Sequence, residues 1–164
     1  MKHTVYIETT IPSYLTANPS RDIFQLSRQS ITRRWWDTKR QDYDLGTSDF
    51  TVIECRKGDP AAAQRRMDSI KGIPLLEIIG DMYSLSDSYM KFLPIPADSK
   101  DDTLHLAACV VRQIDYLLTW NCKHLGPITM QRIQKYNDKH DLFVPVLTTP
   151  EAFFDEREFS YDLS

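Results

Sequence analysis

Four polar residues are spaced so that a parallel α/β sheet would bring their side chains together. Glu8 and Asn121 each directly follow a short apolar segment that is typical of a buried strand, and Glu54 and Asp102 lie in helical segments beside such strands. Three carboxylates and an amide would form an all-oxygen site of the kind that Mg²⁺ or Mn²⁺ prefers. Such carboxylates repel one another without a cation, whereas a bound cation removes the repulsion and can activate water against a phosphodiester.

Each of the four residues also has a simpler interpretation when it is taken alone. Glu8 precedes two threonines and could belong to a helix-capping turn, and Glu54 could be a solvated charge on a short helix. Asp102 could complement the dipole of its helix, and Asn121 is a common turn residue. The spacing alone therefore leaves open whether the four side chains meet.

Short apolar segments alternate with helical segments along the chain. The predicted strands cover residues 4–7, 43–47, 74–79, 116–119 and 144–147. The predicted helices cover residues 11–15, 22–40, 50–57, 60–70, 81–93, 101–112 and 129–140, with a short last helix from 149 and with Ser48 and Ser99 as N-caps. This alternation predicts βαβ units in a mostly parallel sheet, whose binding crevice lies beyond the carboxyl ends of the strands.

The composition limits the class of protein. A chain of 164 residues with 41% hydrophobic and 26% charged residues is typical of one globular domain. We expect that domain over 1–155, followed by a polar and mobile tail over 156–164. A net charge of −3 excludes a uniformly basic nucleic-acid coat, and the five isolated glycines predict no phosphate-binding loop for a nucleotide cofactor.

The cysteines and the hydropathy pattern indicate the compartment. The three cysteines are odd in number and widely spaced, which suits a reducing cytoplasm rather than a disulfide framework. No apolar run approaches the length that spans a bilayer, and the N-terminal segment turns polar after three apolar residues. We therefore expect a cytoplasmic protein with neither a membrane segment nor a signal peptide.

Three segments resemble the PIN-domain ribonucleases, specifically the VapC-like toxins of bacterial toxin–antitoxin pairs. They are VYIETTIPSYL at 5–15, TSDFTVIECRKGD at 47–59 and DDTLHLAACVVRQIDYLLTWNCKHL at 101–125, of which the first and the last are the more specific. The resemblance implies a three-layer α/β/α sandwich with a small, mostly parallel central sheet. It further implies an endoribonuclease that uses Mg²⁺ or Mn²⁺, forms a homodimer and is restrained by a cognate antitoxin.

The resemblance also implies roles for individual residues. By position it assigns metal-binding acids to Glu8, Glu54 and Asp102, the fourth polar position to Asn121 and a supporting hydroxyl to Thr9. The first and fourth positions are more often Asp in the family. Because the amide at the fourth position lowers the negative charge by one, we expect one firmly bound ion rather than two.

Two further assignments depend on neighbouring residues. Asp101 competes with Asp102, but the family spacing to the following His-Leu-Ala selects Asp102 and leaves Asp101 in a supporting position. Arg56 and Lys57 follow Glu54 closely, and we expect them to contact RNA phosphates. Trp35 and Trp36 are expected in the core or at a dimer interface rather than stacked on bases.

Three alternatives remain open from the sequence. The first is a catalytically weak or inactive PIN-like module that binds a partner, which the departures at Glu8 and Asn121 would permit. The second is a phosphoacceptor receiver domain, which the glutamate at the end of the first strand disfavours. The third is a tetrahedral zinc site, whose four candidate ligands are His105, Cys109, Cys122 and His124.

Overall fold

The computed structural model describes residues 1–160, which form a five-stranded sheet flanked by helices. The strands are β1 (Thr4–Ile7), β2 (Asp44–Ser48), β3 (Leu75–Leu76), β4 (Tyr116–Leu118) and β5 (Val146–Thr148). The helices are α1 (Thr10–Thr16), α2 (Ile23–Thr38), α3 (Asp49–Cys55), α4 (Pro60–Ile70), α5 (Gly80–Phe92), α6 (Lys100–Arg112), α7 (Pro127–Lys139) and α8 (Glu156–Ser160). None of these helices has both the length and the hydropathy that crossing a bilayer requires.

The order of the strands determines where a binding crevice can form. The sheet has the order β3-β2-β1-β4-β5, and all neighbouring strands are parallel. The chain builds outward from β1 through β2 to β3 and then continues on the other side of β1 with β4. In such a sheet the crevice lies at this change of direction, beyond the carboxyl ends of β1 and β4. The residues that directly follow these two strands therefore lie at the crevice.

Two apolar layers cover the two faces of the sheet. Tyr6 and Leu117 point into one core cluster together with Leu106 of α6. Val5 of β1 points into a second cluster, which also contains Trp35 of α2. Because successive side chains of a strand alternate between faces, β1 is buried on both sides, as a parallel sheet between helices requires. The predicted three-layer α/β/α sandwich is confirmed, and its sheet is wholly parallel.

Several predicted boundaries shift for local reasons. The third strand is limited to two residues, because its partner β2 ends at Ser48, where α3 begins. Ser48 caps α3 by accepting a hydrogen bond from the backbone N–H of Phe50. Ser99 lies at the N-cap position of α6, as predicted, but its side chain makes no capping hydrogen bond, and a 3₁₀ turn (Ala97–Ser99) precedes the helix.

The polar segment that begins at residue 156 is partly helical. Within α8, Glu158 accepts a hydrogen bond of 2.6 Å from Lys39 Nζ through its side chain, and its backbone carbonyl accepts one of 2.7 Å from Arg34. These bonds join α8 to the region around the end of α2, and the mobility of this segment stays a prediction. Residues 161–164 lie outside the described residues, and the domain boundary at 155 stays a prediction.

Candidate metal centre

Glu8 occupies the centre of the crevice because it directly follows the central strand. Its backbone N–H continues the ladder to Leu118 of β4, at 3.2 Å, and its side chain is only 5% exposed. Three donors converge on its Oε2 atom: the backbone N–H of Thr10 at 3.0 Å, the hydroxyl of Thr10 at 2.5 Å and the hydroxyl of Thr119 at 2.7 Å. These donors fix the carboxylate without using its other oxygen.

Glu54 faces the same crevice from α3, on the side of β2. Its Oε1 atom accepts a hydrogen bond of 3.0 Å from Thr9 Oγ1 and a short one from His105 Nε2. Burial acts to raise the pKa of Glu54, but the hydrogen bond and the charge of His105 outweigh burial and lower that pKa below its ordinary value. Glu54 is therefore an anion at neutral pH.

Asp102 enters the crevice from the first turn of α6. Its Oδ1 atom accepts a hydrogen bond of 2.7 Å from Asn121 Nδ2, and its Oδ2 atom lies 2.9 Å from His124 Nδ1. Burial is the largest cause of a raised pKa at Asp102, and the negative charge of Glu8 adds to it, whereas His124 opposes the rise. The side chain of Asp102 is thus held between an amide and an imidazole. Its neighbour Asp101 is exposed.

The four residues singled out in the sequence come together in the structure. Glu8, Asp102 and Asn121 line one narrow pocket, together with His105. One potential ligand atom from each of Glu8, Glu54 and His105 also lies within 4.8 Å of the other two. The crevice therefore holds two carboxylates within the reach of a single cation and a third carboxylate beside them.

The pattern of hydrogen bonds distinguishes the three carboxylates. Among the described residues, every donor to Glu8 bonds Oε2 and every donor to Glu54 bonds Oε1, so each keeps one oxygen without a protein donor. Both oxygens of Asp102 already have partners. The residues fit a hard divalent cation: Glu8 and Glu54 are suited to direct ligation, and Asp102 is suited to holding a water molecule of the ion.

Several residues that support these carboxylates were not predicted in that role, although His105 and His124 were candidate zinc ligands. Thr10 and Thr119 hold Glu8, His124 contacts Asp102, and His105 joins Glu54 to the buried phenol of Tyr6. One signal was available: His105 lies three residues after Asp102, so both lie on the same side of a helix. The Thr10 contacts are local, two residues from Glu8, and belong to the turn that leads into α1. No local pattern pointed to the Thr119 contact, because it depends on how β1 and β4 align.

The two predicted RNA-binding residues differ in their position relative to the acids. Lys57 lines a pocket of about 190 Å³ that also includes Glu54, His105 and Asp101. Arg56 instead lines a groove between α3 and α4, on the far side of α3. Of the two exposed cations, only Lys57 shares a pocket with a proposed metal-binding residue.

The alternative zinc site is not assembled. His105 Nε2 bonds Glu54 and His124 Nδ1 bonds Asp102, so each imidazole is directed at a carboxylate. In residues 1–160, the group of potential ligands found within reach of one ion consists of Glu8, Glu54 and His105 and includes no cysteine. All three cysteines are free thiols, and Cys55 and Cys109 are buried.

The parallel five-stranded sheet and its helical layers have the PIN-like fold of the VapC toxins. Among solved structures, the chain is similar to Mycobacterium tuberculosis VapC20, a toxin that cleaves the sarcin–ricin loop, with a TM-score of 0.58 and 14% identity over 74% of this chain and 93% of the other. It is also similar to Rickettsia felis VapBC2 bound to a promoter DNA fragment, with a TM-score of 0.54 and 11% identity over 89% and 98% of the two chains. No protein-family model and no curated protein matches the sequence.

Proposed function

We propose that this protein is an endoribonuclease that depends on Mg²⁺ or Mn²⁺ and acts as the toxin of a toxin–antitoxin pair. The observation that carries the proposal is the pair of carboxylates, Glu8 and Glu54, whose ligand atoms lie within 4.8 Å and whose unbonded oxygens are available to a cation. The similarity of the fold to VapC20, which cleaves RNA of the sarcin–ricin loop, supports RNA as the class of substrate.

The residues of the crevice have separate tasks in this proposal. A bound divalent cation supplies the activation of water and the shielding of charge on the scissile phosphate. Glu8 and Glu54 hold the cation, and the three donors on Glu8 Oε2 keep its carboxylate from turning away. Asp102 orients a water molecule, while Asn121 fixes Asp102 through one hydrogen bond and adds no further negative charge.

Substrate binding is proposed on the Lys57 side of the crevice. Lys57 lies in the pocket next to Glu54, where its charge would neutralise a phosphate beside the scissile bond. The same pocket contains the exposed ring of Tyr83, which packs edge to face against Phe50. An exposed aromatic ring beside a cation is suited to an unpaired base and its phosphate, so single-stranded or looped RNA is the proposed substrate.

The proposal can be tested by RNA cleavage with purified protein in Mn²⁺, with EDTA as the metal-free reference. Asp102→Asn and Glu54→Gln should each lower the cleavage rate by about 100-fold or more, because each removes a charge from the metal centre. Asp81→Asn is the matched control, since Asp81 is an exposed acid in the first turn of α5. Cleavage that persists at the wild-type rate in both site variants, or that is unaffected by EDTA, would contradict the proposal.

The same protein should have a protein inhibitor and a second copy of itself as partners. The similarity to a VapBC2 complex supports an antitoxin that occupies the acidic crevice, and the toxin class supports a homodimer. The three free thiols are compatible with the reducing cytoplasm.

Calorimetric titration with Mn²⁺ separates the nuclease from an inactive PIN-like binding module, because a module without a functional site would not bind the ion.

A further inference from the structure

His105 is the one member of the potential ligand group that the all-oxygen interpretation does not include. It lies on α6, one turn after Asp102, and is only 1% exposed. Its Nε2 atom is directed at Glu54, and one of its ring nitrogens is a potential ligand atom within 4.8 Å of those of Glu8 and Glu54. A buried imidazole in this position provides a nitrogen where the sequence predicted oxygen ligands only.

The other nitrogen of His105 is held from behind by a buried phenol. Tyr6 Oη lies 2.7 Å from His105 Nδ1 and 2.6 Å from Ser48 Oγ. The phenol oxygen can accept the Nδ1–H while its own O–H donates to Ser48, whose hydroxyl oxygen also caps α3. With a proton on Nδ1, the lone pair of Nε2 is available in the crevice. Histidines that bind metals are commonly oriented through the second nitrogen in this way.

We propose that His105 Nε2 is a direct nitrogen ligand of the cation that Glu8 and Glu54 hold. This inference rests on the proposed function, and it specifies the chemistry of the same site. To serve as a ligand, Nε2 would give up the hydrogen through which it contacts Glu54, and that proton would leave to solvent. A set of two carboxylates and one imidazole favours Mn²⁺ over Mg²⁺, because imidazole suits transition metals better than it suits magnesium.

The inference can be tested by electron spin-echo envelope modulation of the protein loaded with Mn²⁺. Wild type should show the modulation of a directly bound ¹⁴N nucleus, and this signal should change to that of ¹⁵N when the protein is labelled with ¹⁵N-histidine. The labelling distinguishes an imidazole from the amide of Asn121. His105→Gln should lose the signal, whereas His124→Gln should keep it, because His124 contacts Asp102 rather than the glutamate pair.

Affinity provides a second measurement. Calorimetry with each metal alone should show that His105→Gln weakens Mn²⁺ binding by about tenfold or more, with a smaller loss for Mg²⁺. If that variant does not fold, the labelled wild type and His124→Gln still decide the question, because the remaining histidines, His3 and His140, are exposed and outside the crevice. Bound Mn²⁺ without nitrogen modulation, or modulation lost only in His124→Gln, would overturn the inference and leave the nuclease proposal standing. A wild type that binds no Mn²⁺ would overturn both.

Discussion

Asn121 donates a hydrogen bond of 2.7 Å from its Nδ2 atom to Oδ1 of Asp102, which joins the loop after β4 to the first turn of α6. This bond gives a physical reason for an amide at a position where the VapC-like pattern often has an acid. A carboxylate there would face Asp102, whose pKa is already raised by burial and by the charge of Glu8. The amide replaces that repulsion with a donor.

Asn121→Asp should therefore make the metal-free protein less stable. The substitution removes a partly buried hydrogen bond and adds a like charge beside Asp102, so we expect a loss of about 1–3 kcal/mol in the free energy of unfolding at pH 7. Urea denaturation measures the change, and Asn18→Asp adds the same charge at an exposed position as the control. Mn²⁺ should recover more stability in Asn121→Asp than in wild type, and equal recovery would argue against a cation beside Asp102.

Thr119→Val should weaken metal binding without removing any ligand. Thr119 donates a hydrogen bond of 2.7 Å to Glu8 Oε2, and valine keeps the shape of the side chain while it deletes that donor. Because Glu8 then has less restraint on its orientation, we expect a loss of about tenfold in Mn²⁺ affinity by calorimetry. Thr148→Val on the neighbouring strand β5 is the control, since the hydroxyl of Thr148 bonds a backbone carbonyl instead. Equal losses in the two variants would show that Thr119 acts only through general packing.

Lys57→Ala should reduce RNA affinity more than Arg56→Ala does. Lys57 shares a pocket with Glu54, whereas Arg56 lines the groove on the other side of α3. If Lys57 contacts one phosphate, its loss should lower the slope of log affinity against log salt by about one. Binding of a fluorescent single-stranded RNA in EDTA, measured over a range of salt concentrations, gives both values without cleavage. An unchanged slope for Lys57→Ala would place the RNA elsewhere.

The sequence was sufficient to predict the sheet and its helical layers, because the apolar segments and the turn signals agree along most of the chain. The strand at 4–7 and the helix at 60–70 have the predicted boundaries, and each is limited by clear local chemistry such as Pro60 at a first helical position. The predicted strand at 74–79 is longer than the observed strand β3 (Leu75–Leu76). Its apolar composition permits a longer strand, but its length depends on where β2 ends, which is a tertiary property.

Only part of the candidate site could be predicted from the sequence, because the rest depends on tertiary contacts. The acids stand beside predicted strand ends, the resemblance to the VapC-like toxins selected them, and the structure brings them into one crevice. The contact of Glu54 with His105 joins residues that are 51 positions apart, and Thr119 reaches Glu8 across 111 positions. Such contacts depend on the register of β1 against β4 and on the approach of α3 to α6, neither of which a local pattern specifies.

The start of the sheet provides a prediction that does not depend on the metal. Asp115 precedes β4, and its Oδ2 atom accepts hydrogen bonds from the backbone N–H of Thr4 at 2.9 Å and from the hydroxyl of Thr4 at 3.2 Å. The backbone hydrogen bond is the largest cause of a lowered pKa at Asp115; burial opposes the shift, and the nearby His3 adds to it. The charged form of Asp115 therefore stabilises the alignment of β1 with β4.

Asp115→Asn should lower the free energy of unfolding at pH 7 by about 0.5–1 kcal/mol. The expected loss is modest because 37% of the Asp115 side chain is exposed and solvent screens its charge. Since the folded pKa lies below the unfolded value of about 3.9, the stabilisation is complete above that value and is lost as the pH falls through the folded pKa. The difference between wild type and variant should thus be constant from about pH 5 to 7 and shrink below about pH 4. Urea denaturation at each pH measures it, with Asp44→Asn as the exposed control on β2. A difference that persists undiminished at pH 2.5 would show that the charge of Asp115 does not stabilise the start of the sheet.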